Sequence, residues 1–139
     1  MIFNRYVGAA LCLAASVSFA QADPAGLWRA QDGGTILVSH CGSNYCATVA
    51  SAPNDPITGK PPTDSHNADP SKRDRSVVGI PVLIDMKPDG SNKWSGSLYD
   101  RERGQIFPGH LIEIDSKTIR IEGCGMGICG GQALPRVNQ

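Results

Sequence analysis

The chain has 139 residues, with 13 basic and 13 acidic side chains and no formal net charge. That length fits one domain. Phosphate neutralisation needs clustered Lys and Arg, and no dense basic face is written here, so nucleic acid is excluded as a partner.

The first predicted element is a leader. Met1 to Tyr6 carry one positive charge, Arg5, and Val7 to Ala20 form an almost unbroken apolar run ending in the small-x-small exit Ala20-Gln21-Ala22. These are the marks of a secretory signal peptide over residues 1–22, leaving a domain over 23–139. The run is too short to span a bilayer comfortably and no later stretch approaches it, so the mature chain is read without a transmembrane segment. Cys12 leaves with the leader; a lipid anchor there is disfavoured because the bulky Leu11 precedes it. Losing Arg5 makes the mature chain slightly acidic. Four cysteines remain, Cys41, Cys46, Cys124 and Cys129. An even count in a small exported chain predicts two disulfides and an oxidising location, periplasmic or secreted.

Strands follow in order. Gly26 to Ala30, Thr35 to Cys41 and Tyr45 to Ser51 are three short candidates joined by Gly-rich turns. Ala52 to Gly79 breaks the pattern with five prolines and balanced charges. So long a connection in a small domain is a functional or disordered loop, crossing one barrel mouth or hanging beside it. Ile80 to Met86 is a strand whose Pro81 belongs at an edge or strand end, and Lys87-Pro88-Asp89-Gly90 is a turn. Trp94 to Asp100, Leu111 to Ile114 and Thr118 to Gly123 alternate with period two, as half-buried strands do. Ile128 to Val137 supplies the last, with Pro135 inside it. The expected fold is all-β, an up-and-down antiparallel barrel of about eight strands, with a sandwich as the alternative.

The cysteines form two copies of one design, Cys41-Gly42-Ser43-Asn44-Tyr45-Cys46 and Cys124-Gly125-Met126-Gly127-Ile128-Cys129. Each pair sits opposite at a hairpin base, and alternating strand direction sends the two hairpins to opposite barrel ends. The predicted bridges are therefore Cys41–Cys46 and Cys124–Cys129.

Together these residues resemble one family of bacterial envelope proteins, the domain of unknown function 2147. The resemblance runs through Asp23-Pro24-Ala25-Gly26-Leu27-Trp28, then Pro53-Asn54-Asp55-Pro56, Gly59-Lys60, Asp64, Asn67, Asp69-Pro70, Arg73 and Arg75. It continues through Gly79-Ile80-Pro81-Val82-Leu83, Met86-Lys87, Trp94-Ser95-Gly96-Ser97-Leu98-Tyr99-Asp100 and Gly123-Cys124. It implies a lipocalin-like barrel and export, and no established activity. Members usually close on Gln-Thr-Trp-x-Arg-Val, where this chain has Gln132-Ala133-Leu134-Pro135-Arg136-Val137, so the pairing of its last strand is open. Gly26-Leu27-Trp28 is also similar to the Gly-x-Trp opening of lipocalin-type barrels. That likeness implies that Trp28 plugs the closed end with Arg136 over its face, a contact worth roughly 0.5–2 kcal/mol.

Candidate site residues are weighed against structural roles. Asp64, Asn67 and Asp69, with Asp55 and Asp74, offer clustered oxygens that Ca²⁺ would want, but the spacing is not that of an EF-hand and Lys72, Arg73 and Arg75 cancel the charge. They read instead as turn-capping carboxylates paired with arginines, or with Arg73 and Arg75 as a clamp for an anionic ligand. His40, His66 and His110 beside the cysteines raise zinc, which export and oxidised sulfur disfavour. A thiol oxidoreductase would show two residues between its cysteines, not four. No metal and no cofactor are expected. Gly-x-Ser-x-Gly, paired carboxylates and a phosphate loop are all missing from the sequence, which ranks a hydrolase last.

The first functional expectation is a binder of one small, partly apolar ligand, since an eight-stranded barrel either encloses one ligand or is filled by its own side chains. Ile36, Val38, Ile112, Ile114, Ile119 and Ile121 are read as inward, with Trp94 or Tyr99 near a mouth; a one-residue slip would invert that set. The second is a protein with a filled barrel that acts on another envelope protein through the 52–79 segment.

Overall fold

The structure is a computed structural model describing residues 8–17 and 22–138. Met1 to Tyr6 and most of the Ala20-Gln21-Ala22 exit lie outside the described residues; residues 8–17 carry no regular element, with Leu11 and Leu13 exposed.

Eight antiparallel strands form one sheet in chain order: β1 (Gly26–Arg29), β2 (Thr35–Cys41), β3 (Asn44–Ser51), β4 (Pro81–Pro88), β5 (Lys93–Asp100), β6 (Gln105–Asp115), β7 (Thr118–Gly125) and β8 (Ile128–Pro135). The sheet curls until its edges meet: Trp28 bridges Arg136, the Val137 N–H donates to Leu27 O at 2.8 Å, and the Gln31 N–H donates to Gln132 Oε1 at 3.0 Å. Curling leaves few edge groups without partners. This is the up-and-down barrel the alternation predicts.

Both predicted disulfides are present. Cys124 and Cys129 face each other directly across β7 and β8, whereas Cys41 pairs in register with Asn44 and reaches Cys46 diagonally.

The order fixes two ends. The β2–β3, β4–β5 and β6–β7 turns share one end with Asp23 and Arg136, and that end is packed solid. Trp28, Met86, Leu111, Ile119 and Leu134 are fully buried there, and Tyr45 meets Trp94 edge to face at 5.2 Å. Leu134 stands where the family pattern has tryptophan; it pairs with Ile119, and Pro135 pairs with Thr118 as the last residue of β8. The proline falls where the ladder ends, so it removes little pairing.

Two expectations about facing are corrected. Ile36, Val38, Ile119 and Ile121 are buried inside, but on β6 the inward residues are Leu111 and Gly109, so Ile112 is half-buried and Ile114 exposed on the outer face. The 111–114 stretch has apolar residues on both parities; the inward face is set by register, Leu111 opposite Trp94 and Ile121. Trp94 is not at a mouth but within the packed end. β6 also begins six residues earlier than its alternation shows, because Pro108 and Gly109 interrupt the pattern while still pairing with Ser97 and Gly96.

The long connection is ordered. It holds a Thr63↔Ser76 bridge and a short 3-10 turn, Pro70–Lys72, capped by Asp69, whose Oδ1 accepts from the Ser71 N–H at 3.0 Å.

Candidate functional site

The other end, formed by the β1–β2, β3–β4, β5–β6 and β7–β8 connections, opens into a cavity of about 830 Å³. Its wall is apolar, with Ile36, Val49, Val82, Leu98, Phe107 and Ile121. Glycines on β6 and β7 let this wall pack closely. Gly109 faces Leu98 so closely that an added Cβ would collide with it, and Gly123 lies against Leu98 and Phe107. Polar groups ring the mouth: Arg101 of the β5–β6 turn lies 3.6 Å from Asp32 of the β1–β2 turn, and Arg103 is ion-paired with Asp100. Met126 and Ile128, both exposed, give the β7–β8 tip an apolar lip. Arg101, Arg103, Leu98 and Phe107 were not recognised as cavity residues in sequence; they share the β5–β6 hairpin, and closure of the sheet sets that hairpin opposite Asp32 and the other lining residues.

No residue from Pro53 to Gly79 lines this cavity. The segment hangs beside the mouth, held by a buried polar bracket. Asp64 has no exposed surface, yet its carboxylate is fully engaged. Oδ1 accepts from the Tyr99 hydroxyl at 2.6 Å; Oδ2 accepts from Asn67 Nδ2 at 2.8 Å and from Arg75 Nε at 2.9 Å. Burial pushes the Asp64 carboxyl up, but the bonds from Tyr99, Asn67 and Arg75 outweigh it and hold it below the ordinary range. Burial and the neighbouring Asp64 carboxylate push the Tyr99 phenol up. Arg73 Nε donates to Asn67 O at 2.8 Å, and Asn67 Oδ1 accepts from the Asp69 N–H. Gly104 completes the bracket: its positive φ of 67° suits glycine, and a side chain there would strike the His66 carbonyl. Six of the residues singled out as ligand-facing, Asp64, Asn67, Asp69, Arg73, Arg75 and Tyr99, are thus brought together and bond to one another. Asp55 lies apart, capping a turn through the Ile57 and Thr58 N–H groups.

At the closed end, Arg136 lies over Trp28 with Cζ 4.2 Å from the ring centroid, while the indole N–H donates to Pro24 O at 2.9 Å. Arg136 also donates to Ser116 O and Ala25 O. Gly26, at φ 139°, leaves the guanidinium its space, since a Cβ there would overlap Arg136 Nη1. The glycine of Gly-x-Trp has a steric cause here.

Of the three histidines, His40 stacks on Tyr45 at 4.6 Å. His66 contributes its backbone beside Gly104. His110 lies on β6 with Nδ1 3.0 Å from Glu122 Oε1 and 3.7 Å from Cys124 Sγ. Glu122 was missed in sequence, although its place two residues before Cys124 on an alternating strand puts both on one face.

A closed meander with one packed end and one open, partly apolar end defines a lipocalin-like barrel. The solved structure of protein HP1028 from the human pathogen Helicobacter pylori, described as belonging to the lipocalin family, superposes with a TM-score of 0.69 at 17% identity, covering 84% of each chain. At that identity the likeness concerns the fold. The family model for the uncharacterized protein conserved in bacteria, DUF2147, matches residues 26–136, and the chain belongs to that family. No curated protein matches it.

Proposed function

We propose that this protein is an exported binder of one small, partly apolar molecule, held in the open end of the barrel with a polar group at the rim. The cavity carries this reading. About 830 Å³ lies within the 300–1,000 Å³ common for ligand sites, and an apolar wall under a few charged groups matches their usual make-up. The description of the H. pylori neighbour as a lipocalin points the same way. The leader over residues 1–22 and the two disulfides support a periplasmic or secreted location. Trp28 and Arg136 are read as the plug that keeps ligand out of the closed end.

Leu98 belongs to the apolar wall, so Leu98→Trp puts a large ring into the cavity and tests it directly. Protein recovered from its host is examined by native mass spectrometry, then titrated with medium- and long-chain fatty acids. Both native tryptophans lie in the packed end, so their emission reports poorly on the cavity. The expected result is a bound adduct or fatty-acid uptake by the wild type that Leu98→Trp abolishes. No adduct and no uptake in repeated preparations, or uptake unaffected by Leu98→Trp, removes the proposal.

A second reading has one observation in its favour. The 52–79 segment is ordered by the Asp64 bracket and presents Ile57 almost fully exposed, a surface suited to another envelope protein. Crosslinking with Ile57→Ser as control checks it: a partner that does not depend on Ile57 counts against this surface.

A further inference from the structure

We propose that the β7–β8 corner is a redox-gated zinc site, in which the thiolates of Cys124 and Cys129, the His110 imidazole and the Glu122 carboxylate hold one ion once the disulfide is opened. The four side chains share the outer face of the sheet, since Leu111, Ile119 and Ile121 take the inner one. His110 faces Glu122 across β6 and β7, and Cys124 faces Cys129 across β7 and β8. Their ligand atoms all lie within 4.8 Å of one another. Zinc bonds of about 2.3 Å to sulfur and 2.0–2.2 Å to nitrogen or oxygen require ligand atoms roughly 3.3–3.8 Å apart around a tetrahedron. His110 Nδ1 stands 3.0 Å from Glu122 Oε1 and 3.7 Å from Cys124 Sγ, so those two edges are close to size before any metal enters. The sulfur–sulfur edge, 2.03 Å in the disulfide, must lengthen most, and breaking that bond permits it. Two thiolates, an imidazole and a carboxylate suit zinc; a softer ion would not want the carboxylate.

Opening the bridge needs a dithiol reductant. A thiolate of the reductant attacks the sulfur of Cys129, the more exposed residue of the pair, forming a mixed disulfide and releasing Cys124. The reductant's second thiol then displaces Cys129 and leaves as its own disulfide. Two electrons and two protons pass to the cysteines, and zinc afterwards displaces those protons to solvent. Among the described residues, Cys41 and Cys46 gather no such ligand set, which gives the molecule an internal control.

The test reduces the protein without oxygen, using a phosphine that binds metal weakly, and titrates it with Co²⁺ and then Zn²⁺. Circular dichroism follows the fold. The expected result is one equivalent of cobalt with a thiolate-to-metal absorption band in the reduced wild type and in Cys41→Ser/Cys46→Ser. The oxidised protein and Cys124→Ser/Cys129→Ser should show none. Glu122→Gln and His110→Ala should each weaken binding by about 10–100-fold or more, the least expected when a ligand is lost rather than an outer partner. Should reduction unfold the chain, zinc refolding it supports the site, and failure to refold overturns it. A band that survives Cys124→Ser/Cys129→Ser, or affinity unchanged in both Glu122→Gln and His110→Ala, also overturns it.

A different observation carries a second inference, which rests on the predicted leader. We infer that Glu113 receives the new amino terminus when the chain is cut after Ala22. Glu113 turns inward at the closed end, near the Asp23 backbone, and its Oε2 is buried without a partner. Asp23 is itself fixed there, accepting from the Tyr45 hydroxyl at 3.0 Å and, through its carbonyl, from Arg136. Cleavage turns the Asp23 amide into an ammonium beside the unpartnered oxygen. The chain starting at Asp23 should melt above one extended by a few residues, and Glu113→Gln should erase the gap. A gap that persists in Glu113→Gln overturns the pairing, whereas an exported protein whose sequenced terminus is not Asp23 overturns the cleavage itself.

Discussion

At the scale of single residues, the molecule spends its buried polar groups on holding the long connection. Asp64, Asn67 and Arg75 were recognisable in sequence as a cluster of turn-forming and charged residues. Their partner was not, because Tyr99 is 35 residues away from Asp64 and meets it only through tertiary folding. Tyr99→Phe leaves Asp64 Oδ1 buried without its donor and should cost about 1–3 kcal/mol, read as a lower denaturation midpoint. The same site sets an acid limit. The folded Asp64 carboxyl lies below the ordinary value of 3.8, so its stabilisation is complete above that value and is lost as pH falls through the folded one. Asp64→Asn should be less stable at neutral pH and should lose less on acidification than the wild type, as thermal melts across that range will show. Trp28→Ala removes a fully buried ring together with its Arg136 contact, and a loss of about 3–5 kcal/mol in chemical denaturation is expected. Unchanged stability would show that Trp28 does not plug the barrel.

At the scale of elements, hairpins were the most legible part. The two Cys-x-x-x-x-Cys segments announced their own bridges because short loops leave few alternatives, and the Met126-Gly127 pair, both at positive φ, forms the tight turn between β7 and β8. A bridge closing so short a loop should contribute only about 2 kcal/mol. Replacing Cys41 and Cys46 by serine is therefore expected to lower stability by that amount and leave the sheet intact by circular dichroism; complete unfolding would mean the bridge does more than hold register. Strand β6 was the least legible. Its apolar residues fall on both parities, and the side of Leu111 is decided by Trp94 and Ile121 on its neighbours, not by its own pattern. Trp94 was misplaced for a related reason: its strand was recognisable, but which end of the barrel is packed depends on how all eight strands curl.

At the scale of the whole molecule, one end of the barrel is filled and the other is open. This asymmetry is what a binder needs, since the packed end supplies stability and the open end is free to be hollow. Filling the cavity should therefore separate the two properties. Leu98→Trp is expected to abolish fatty-acid uptake while leaving the melting temperature within a few degrees of the wild type. A large fall in melting temperature would mean that the open end also holds the fold together.

The sequence alone determined the all-β class, the strand order and both disulfides, because each follows from period-two alternation or short loops. Only the tertiary structure decided which face of β6 turns inward, where the cavity lies, and that His110 and Glu122 stand beside Cys124. Those features arise where strands distant in the chain are set side by side, and register between neighbours is a property of the closed sheet that no single strand carries.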